Sequence, residues 1–138
     1  MKTYVLDASA LFIFLQEQSA AHKVGELLKE AMRGRADILM SAVNCGEVYG
    51  RILREHGLDR ATATMSAVYP LPIQIIDVNQ QRAFRAAEIK AKHNLCYVDS
   101  IAAALALEHK ATLVTSDSDF RRLGTTVPVL WRSTESDN

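Results

Sequence analysis

Short aliphatic runs alternate with longer segments of helical period along almost the whole chain, and few folds accept that pattern. The runs occupy residues 3–6, 38–40, 73–76, 112–114 and 127–130, each apolar throughout or nearly so. Strands covered on both faces read this way, whereas half-exposed strands alternate polar with apolar. Helices are expected between them, at residues 8–15, 20–33, 43–56, 59–68, 80–93 and 98–109. The fold class is therefore α/β, a parallel sheet with crossover helices. A chain of 138 residues is expected to form one domain. That domain should span residues 1–132, and the polar segment 133–138 reads as a frayed tail.

Two helices are distinctive. The fifth carries Ala83, Phe84, Ala87 and Ala91 on one stripe, which is expected to face the core, with Arg82, Arg85 and Lys92 on the surface. The sixth, from Ser100 to Leu107, is apolar almost all round and should be enclosed.

Sixteen basic residues against sixteen acidic ones remove the whole-molecule field of a general polyanion binder, so contact with nucleic acid must be local. Cys45 and Cys96 belong to no CxxC pair, which excludes a zinc ribbon or disulfide framework and leaves reduced thiols as the expectation. Asp7 interrupts the apolar start, and the run 10–15 is too short for a signal peptide or membrane span. A soluble cytoplasmic protein is expected.

Acidic residues stand alone in otherwise uncharged sequence. Asp7 is the only charge between Thr3 and Gln16, Glu47 between Ile38 and Gly50, and Asp99 between Asn94 and Leu107. Asp117 follows the fourth strand at once, with Asp119 two residues on. Burying a carboxylate is costly unless a cation or hydrogen bonds compensate. Helix capping is the plain explanation: Asp7 and Asp117 fit N-caps, and Asn44 with Glu47 fits capping-box spacing. Topology adds a second reading. In an open parallel sheet the strand carboxyl ends and the helix N-termini share one edge. Asp7 and Asp117 end strands there, while Glu47 and Asp99 are expected in the first turns of helices starting there. Neighbouring first and fourth strands would bring all four carboxylates into one crevice. Four anions so placed need a counter-ion, and without a companion lysine the natural one is a hard divalent cation, Mg²⁺ or Mn²⁺. Asp77 is equally isolated but belongs to a strand expected at the sheet edge, so Asp77 or Asn79 is read as a cap.

Other residues give weaker signals. His22, His56, His93 and His109 share no metal-ligand spacing and read as surface or helix C-terminal partners. Arg33 with Arg35, Arg51 with Arg54, and Arg82 with Arg85 are candidates for phosphate contacts, against the plain reading of solvated faces. Gly46 and Gly50 lie one turn apart on a helix, where each costs about 1 kcal/mol relative to Ala, so a close neighbour is expected, a core helix on the plain reading and a helix of a second chain on the sharper one. Phe12, Phe14, Tyr49, Tyr69 and Trp131 read as core or interface packing. Exposed apolar groups on the first helices would suit a partner's amphipathic segment.

Four segments, in order, carry a resemblance: Tyr4-Val5-Leu6-Asp7-Ala8-Ser9-Ala10-Leu11, Asn44-Cys45-Gly46-Glu47-Val48, Tyr97-Val98-Asp99-Ser100-Ile101-Ala102-Ala103-Ala104 and Val114-Thr115-Ser116-Asp117-Ser118-Asp119-Phe120. Together they resemble the PIN-domain ribonucleases, and length and layout are most similar to the VapC-type toxins of toxin–antitoxin modules. The resemblance implies a three-layer α/β/α domain around a parallel sheet of four to five strands. It also implies Mg²⁺-dependent endoribonuclease activity, homodimerisation and inhibition by a cognate VapB-like antitoxin. By the same resemblance Asp7, Glu47, Asp99 and Asp117 are the catalytic, metal-binding acids, supported by Thr115, Asp119, Asn44 and Ser9.

Three rivals differ in chemistry. A phosphatase of the haloacid-dehalogenase kind would use Asp7 as nucleophile and Ser41 as its hydroxyl, but Ser9 stands where its second acid belongs. A receiver-like module would need a lysine where the last strand ends in Leu130-Trp131. A non-catalytic PIN-like scaffold would hold the acids without metal.

Overall fold

The computed structural model describes residues 1–17 and 23–131. The expected tail 133–138, the start of the second helix and His22 lie outside the described residues. Five strands form one sheet: β1 (Lys2–Leu6), β2 (Ala36–Ser41), β3 (Gln74–Ile76), β4 (Thr112–Thr115) and β5 (Val129–Trp131). Its order is β3-β2-β1-β4-β5 and every pairing is parallel. The helices are α1 (Ala8–Glu17), α2 (Lys23–Met32), α3 (Ala42–His56), α4 (Leu58–Val68), α5 (Gln80–His93) and α6 (Tyr97–Glu108), with a 3₁₀ turn at Ser118–Leu123.

Strand side chains alternate between two cores. Val5, Leu39 and Leu113 pack with α5, α6 and the 3₁₀ turn on one face of the sheet. Leu6, Ile38, Met40 and Val114 pack with α1 to α4 on the other. A strand that feeds both layers must be apolar at successive positions, which explains the unbroken runs. The chain leaves β1 toward β2 on one side and returns through β4 on the other, so the switch point lies between β1 and β4. Backbone pairing there, Leu6 against Val114, sets Asp7 beside the end of β4, where its N–H donates to the Val114 carbonyl at 3.2 Å.

The sixth helix is enclosed as expected: Ser100 to Ala106 are all buried, and its alanines let it lie close to the sheet and α5. The fifth is turned differently from expectation. Ala86 and Ile89 are its buried residues, flanked by half-buried Arg82 and His93, while Phe84 is 61% exposed and Ala87 and Ala91 are exposed. The residues 82, 86, 89 and 93 make an equally regular helical stripe. Arg82 can end it because its guanidinium reaches Glu108 of α6 through two hydrogen bonds, at 2.9 and 3.0 Å. Local devices set the ends. Asn79 caps α5 by accepting from the Arg82 N–H, Asn94 closes it in the left-handed conformation (φ 55), and Gly57 (φ 88) makes the turn from α3 into α4.

Ala102 has no exposed surface, so Ala102→Leu should destabilise the protein by about 1–3 kcal/mol in urea titration through overpacking. Phe84→Ala, on the outward face, should change stability by no more than about 0.5 kcal/mol.

Candidate metal centre

Asp7 is 3% exposed and held on both oxygens. Its Oδ1 accepts from the Ala10 N–H at 2.9 Å and from the Ser9 hydroxyl at 2.8 Å, and its Oδ2 accepts from the Thr115 hydroxyl. Those hydroxyls are themselves fixed: Ser9 Oγ accepts from the Ser116 N–H at 3.0 Å, and Thr115 Oγ1 accepts from the Asp117 N–H at 2.9 Å. The network joins the ends of β1 and β4 across the switch point. Asp7 therefore caps α1 and also belongs to the crevice. Asp117 does the same, accepting from the Asp119 N–H at 2.9 Å at the head of the 3₁₀ turn.

The third acid, Asp99, is half-buried in the first turn of α6, beside the thiol of Cys96, the residue at the helix N-cap. Glu47 sits one turn further into its helix than expected. Ser41 is the N-cap of α3 and accepts from the Asn44 N–H at 2.9 Å, so the Asn44–Glu47 capping box is not formed and Glu47 projects, exposed, from the second turn. Asn44 instead is buried and bridges elements. Its amide donates to the Val98 carbonyl of α6 at 3.2 Å and reaches the Glu47 Oε1 at 3.5 Å, while its Oδ1 accepts from Ser41. The starts of α3 and α6 are thereby held in register.

A crevice of about 430 Å³ is lined by Asp7, Glu47, Asp99 and Asp117, together with Ser9, Phe12, Gly50, Arg51 and Arg54. The four isolated acids of the sequence thus face one space. One oxygen each from Asp99, Asp117 and the neighbouring Asp119, which does not itself line the crevice, lies within 4.8 Å of the others. Asp119, expected only in support, belongs to this tightest group. Hard oxygen donors at that spacing suit a small divalent cation, whose octahedral shell has bonds of about 2.0–2.1 Å for Mg²⁺ and leaves room for waters. Of these five acids, only Asp119 has an ion-pair partner among the described residues, Arg122 at 3.9 Å. Asp7 is pushed up to about 6, mainly by burial, against the lowering effect of its hydrogen bonds. Burial likewise raises Glu47 and Asp99, and neighbouring carboxylates add to the rise. These are the shifts expected where carboxylates are withdrawn from water and gathered near one another.

Other expectations divide. Asp77 is exposed at the edge strand, outside the crevice, and Asn79 caps α5. His56 ends α3, His93 Nδ1 lies 3.2 Å from the Arg122 carbonyl, and His109 lies beside Glu108. Nothing approaches Gly46 or Gly50: a Cβ at either would meet no atom within 4 Å, so the expected close neighbour is absent from the described residues. Arg33 and Arg35 pair with Glu30, and Arg82 with Glu108, all away from the crevice. Ser41, buried and engaged with Asn44, does not line the crevice that holds Asp7, which disfavours the phosphatase arrangement. Phe12 is buried, whereas Tyr69 is 73% exposed.

The direction of the Asp7 shift has a consequence for stability. A carboxyl that titrates near 6 folded and near 3.8 unfolded binds more protons in the folded state between those values. Folding stability of the metal-free protein should therefore fall as pH rises through that window, by about 3 kcal/mol from this group. Asp7→Asn should flatten this part of the profile in urea titrations at pH 4 to 7, and added Mn²⁺ should restore wild-type stability at the upper end.

The model of the PIN domain family matches residues 4–125. Curated proteins offer no match. Among solved structures, DNA-bound VapBC from Salmonella typhimurium superposes with a TM-score of 0.76 at 15% identity, covering 94% of this chain and 98% of that one. VapBC2 from Rickettsia felis, bound to a promoter DNA fragment, gives 0.75 at 16% identity, covering 93% and 97%. Mycobacterium tuberculosis VapC20, a sarcin-ricin loop cleaving toxin, gives 0.64 at 18% identity, covering 88% and 95%. With a family match over most of the chain and an all-parallel five-stranded architecture carrying acids at its switch point, the chain belongs to the PIN domain family.

Proposed function

We propose that this chain is a VapC-type toxin, a Mg²⁺-dependent endoribonuclease that cleaves RNA phosphodiester bonds and is held inactive by a cognate VapB-like antitoxin. The observation that carries the reading is the convergence of Asp7, Glu47, Asp99 and Asp117 on one crevice, three of them with raised pKa values and no ion-pair partner among the described residues. The similarity in fold to the VapC and VapBC structures supports the toxin assignment. On this reading the protein acts in the cytoplasm as a homodimer, and Mn²⁺ substitutes for Mg²⁺.

A divalent ion bound in the crevice supplies a Lewis acid for a phosphoryl oxygen and lowers the pKa of a bound water. The chain's own work is positioning. Asp99, Asp117 and Asp119 offer converging oxygens from two segments, so the two segments must keep their spacing. Thr115 and Ser9 hold Asp7 in one orientation at the rear of the crevice. Asn44 ties Glu47 on α3 to the α6 segment that carries Asp99.

Purified protein should cleave single-stranded RNA with Mg²⁺ and lose that activity in EDTA. Asp7→Asn and Asp99→Asn should lower cleavage by about 100-fold or more with the circular dichroism spectrum unchanged; wild-type rates in both would refute the assignment. Thr115→Val, which removes only the hydroxyl that orients Asp7, should cost about 10- to 100-fold in metal affinity or rate.

A further inference from the structure

The nuclease reading leaves an electrostatic problem. A crevice lined by four carboxylates repels the phosphates of its substrate, and one or two divalent ions act only on the scissile group. Other phosphates of the strand need cations of their own. Among the described residues, Arg51 and Arg54 are the only basic side chains that line the crevice.

Both stand on the face of α3 that carries Glu47, four and seven residues further along. Arg51 lies flat over the buried Phe12 ring, with its guanidinium carbon 3.7 Å from the ring centroid, and its Nε is 3.3 Å from Glu55. Stacking and ion pair together fix the plane of the guanidinium while leaving half of the side chain exposed. Arg54 makes no ion pair or hydrogen bond among the described residues and is exposed. Between Glu47 and Arg51, Gly50 leaves the helix surface bare, with nothing within 4 Å of a Cβ there.

Resting on the nuclease reading, we infer that Arg51 and Arg54 are the substrate-positioning residues: they hold successive phosphates of a single-stranded RNA that runs from the metal centre along α3 toward the α3–α4 turn. The fixed fork of Arg51 sets the register of the strand at the centre. The freer Arg54 holds the next phosphate outward.

The test uses fluorescein-labelled single-stranded RNA with the full chain, measuring binding by anisotropy over a range of salt and cleavage in Mg²⁺. Arg54→Ala should weaken binding and raise KM by about tenfold, with the effect on KM rather than kcat. The slope of log K against log salt should fall by about 0.7 for each phosphate that is no longer neutralised. Arg51→Lys keeps the charge but not the planar fork, so it should keep the salt slope and still raise KM. Lys90→Ala, an exposed charge removed from α5, should change neither. If wild-type protein cleaves RNA while Arg54→Ala and the double alanine variant keep both KM and salt slope, the inference is overturned, including where the variants instead lose affinity for a protein partner. If wild-type protein cleaves no RNA, the nuclease reading fails first.

Discussion

Withdrawal of carboxylates from water at the β1/β4 switch point is the constraint on which the arrangement of the site turns. Asp7, Glu47, Asp99 and Asp117 come from separate stretches of sequence and arrive by three local devices. Two end strands, one opens α6, and one projects from the second turn of α3. Neutral donors compensate the loss of water at the most buried position, where the Ser9 and Thr115 hydroxyls and the Ala10 amide hold Asp7, and the Asn44 side chain reaches Glu47. They satisfy the buried oxygens without adding a positive side chain that would compete with a metal.

Most of the fold is legible in the sequence because the sheet is buried on both faces. Strands feeding two cores read as unbroken aliphatic runs, and the order of runs and helical segments leaves few topologies. The crevice is legible for the same reason, since an acid inside an apolar run stands out. Legibility fails where alanine is abundant. On α5 two stripes fit helical period equally well; the one that carries Ala86 and Ile89 is buried, and it ends in Arg82, which pairs with Glu108 of α6, a contact between distant segments that periodicity does not encode. The start of α3 lies earlier than the Asn44–Glu47 spacing suggests because Ser41, the last residue of β2, doubles as the helix cap. That moves Asn44 inside the helix and Glu47 a turn further along.

Capping and site formation are one arrangement in this protein rather than competing accounts. A helix N-terminus stabilises a carboxylate through its free amides and its dipole, so it can hold an acid in the ionised form that burial opposes. Asp7 accepts from the Ala10 amide and Asp117 from the Asp119 amide while both line the crevice. Asp99 gains the same environment in the first turn of α6. Placing helix starts along the carboxyl edge of a parallel sheet gathers such supported acids without any motif dedicated to them.

The acids are not equivalent, and burial separates them. Asp7 is almost wholly enclosed with both oxygens engaged, and its carboxyl titrates near 6. Asp99 and Asp117 are half-exposed, Asp119 is exposed, and their oxygens converge within 4.8 Å. Enclosure fixes position at the cost of desolvation, and exposure spares desolvation but leaves side chains free to move. A crevice built from both kinds has one rigidly held carboxylate at its rear and more adjustable ones in front. A divalent cation held as proposed would meet the lower desolvation cost at the open trio, and its charge would favour the ionised form of the enclosed carboxylate behind.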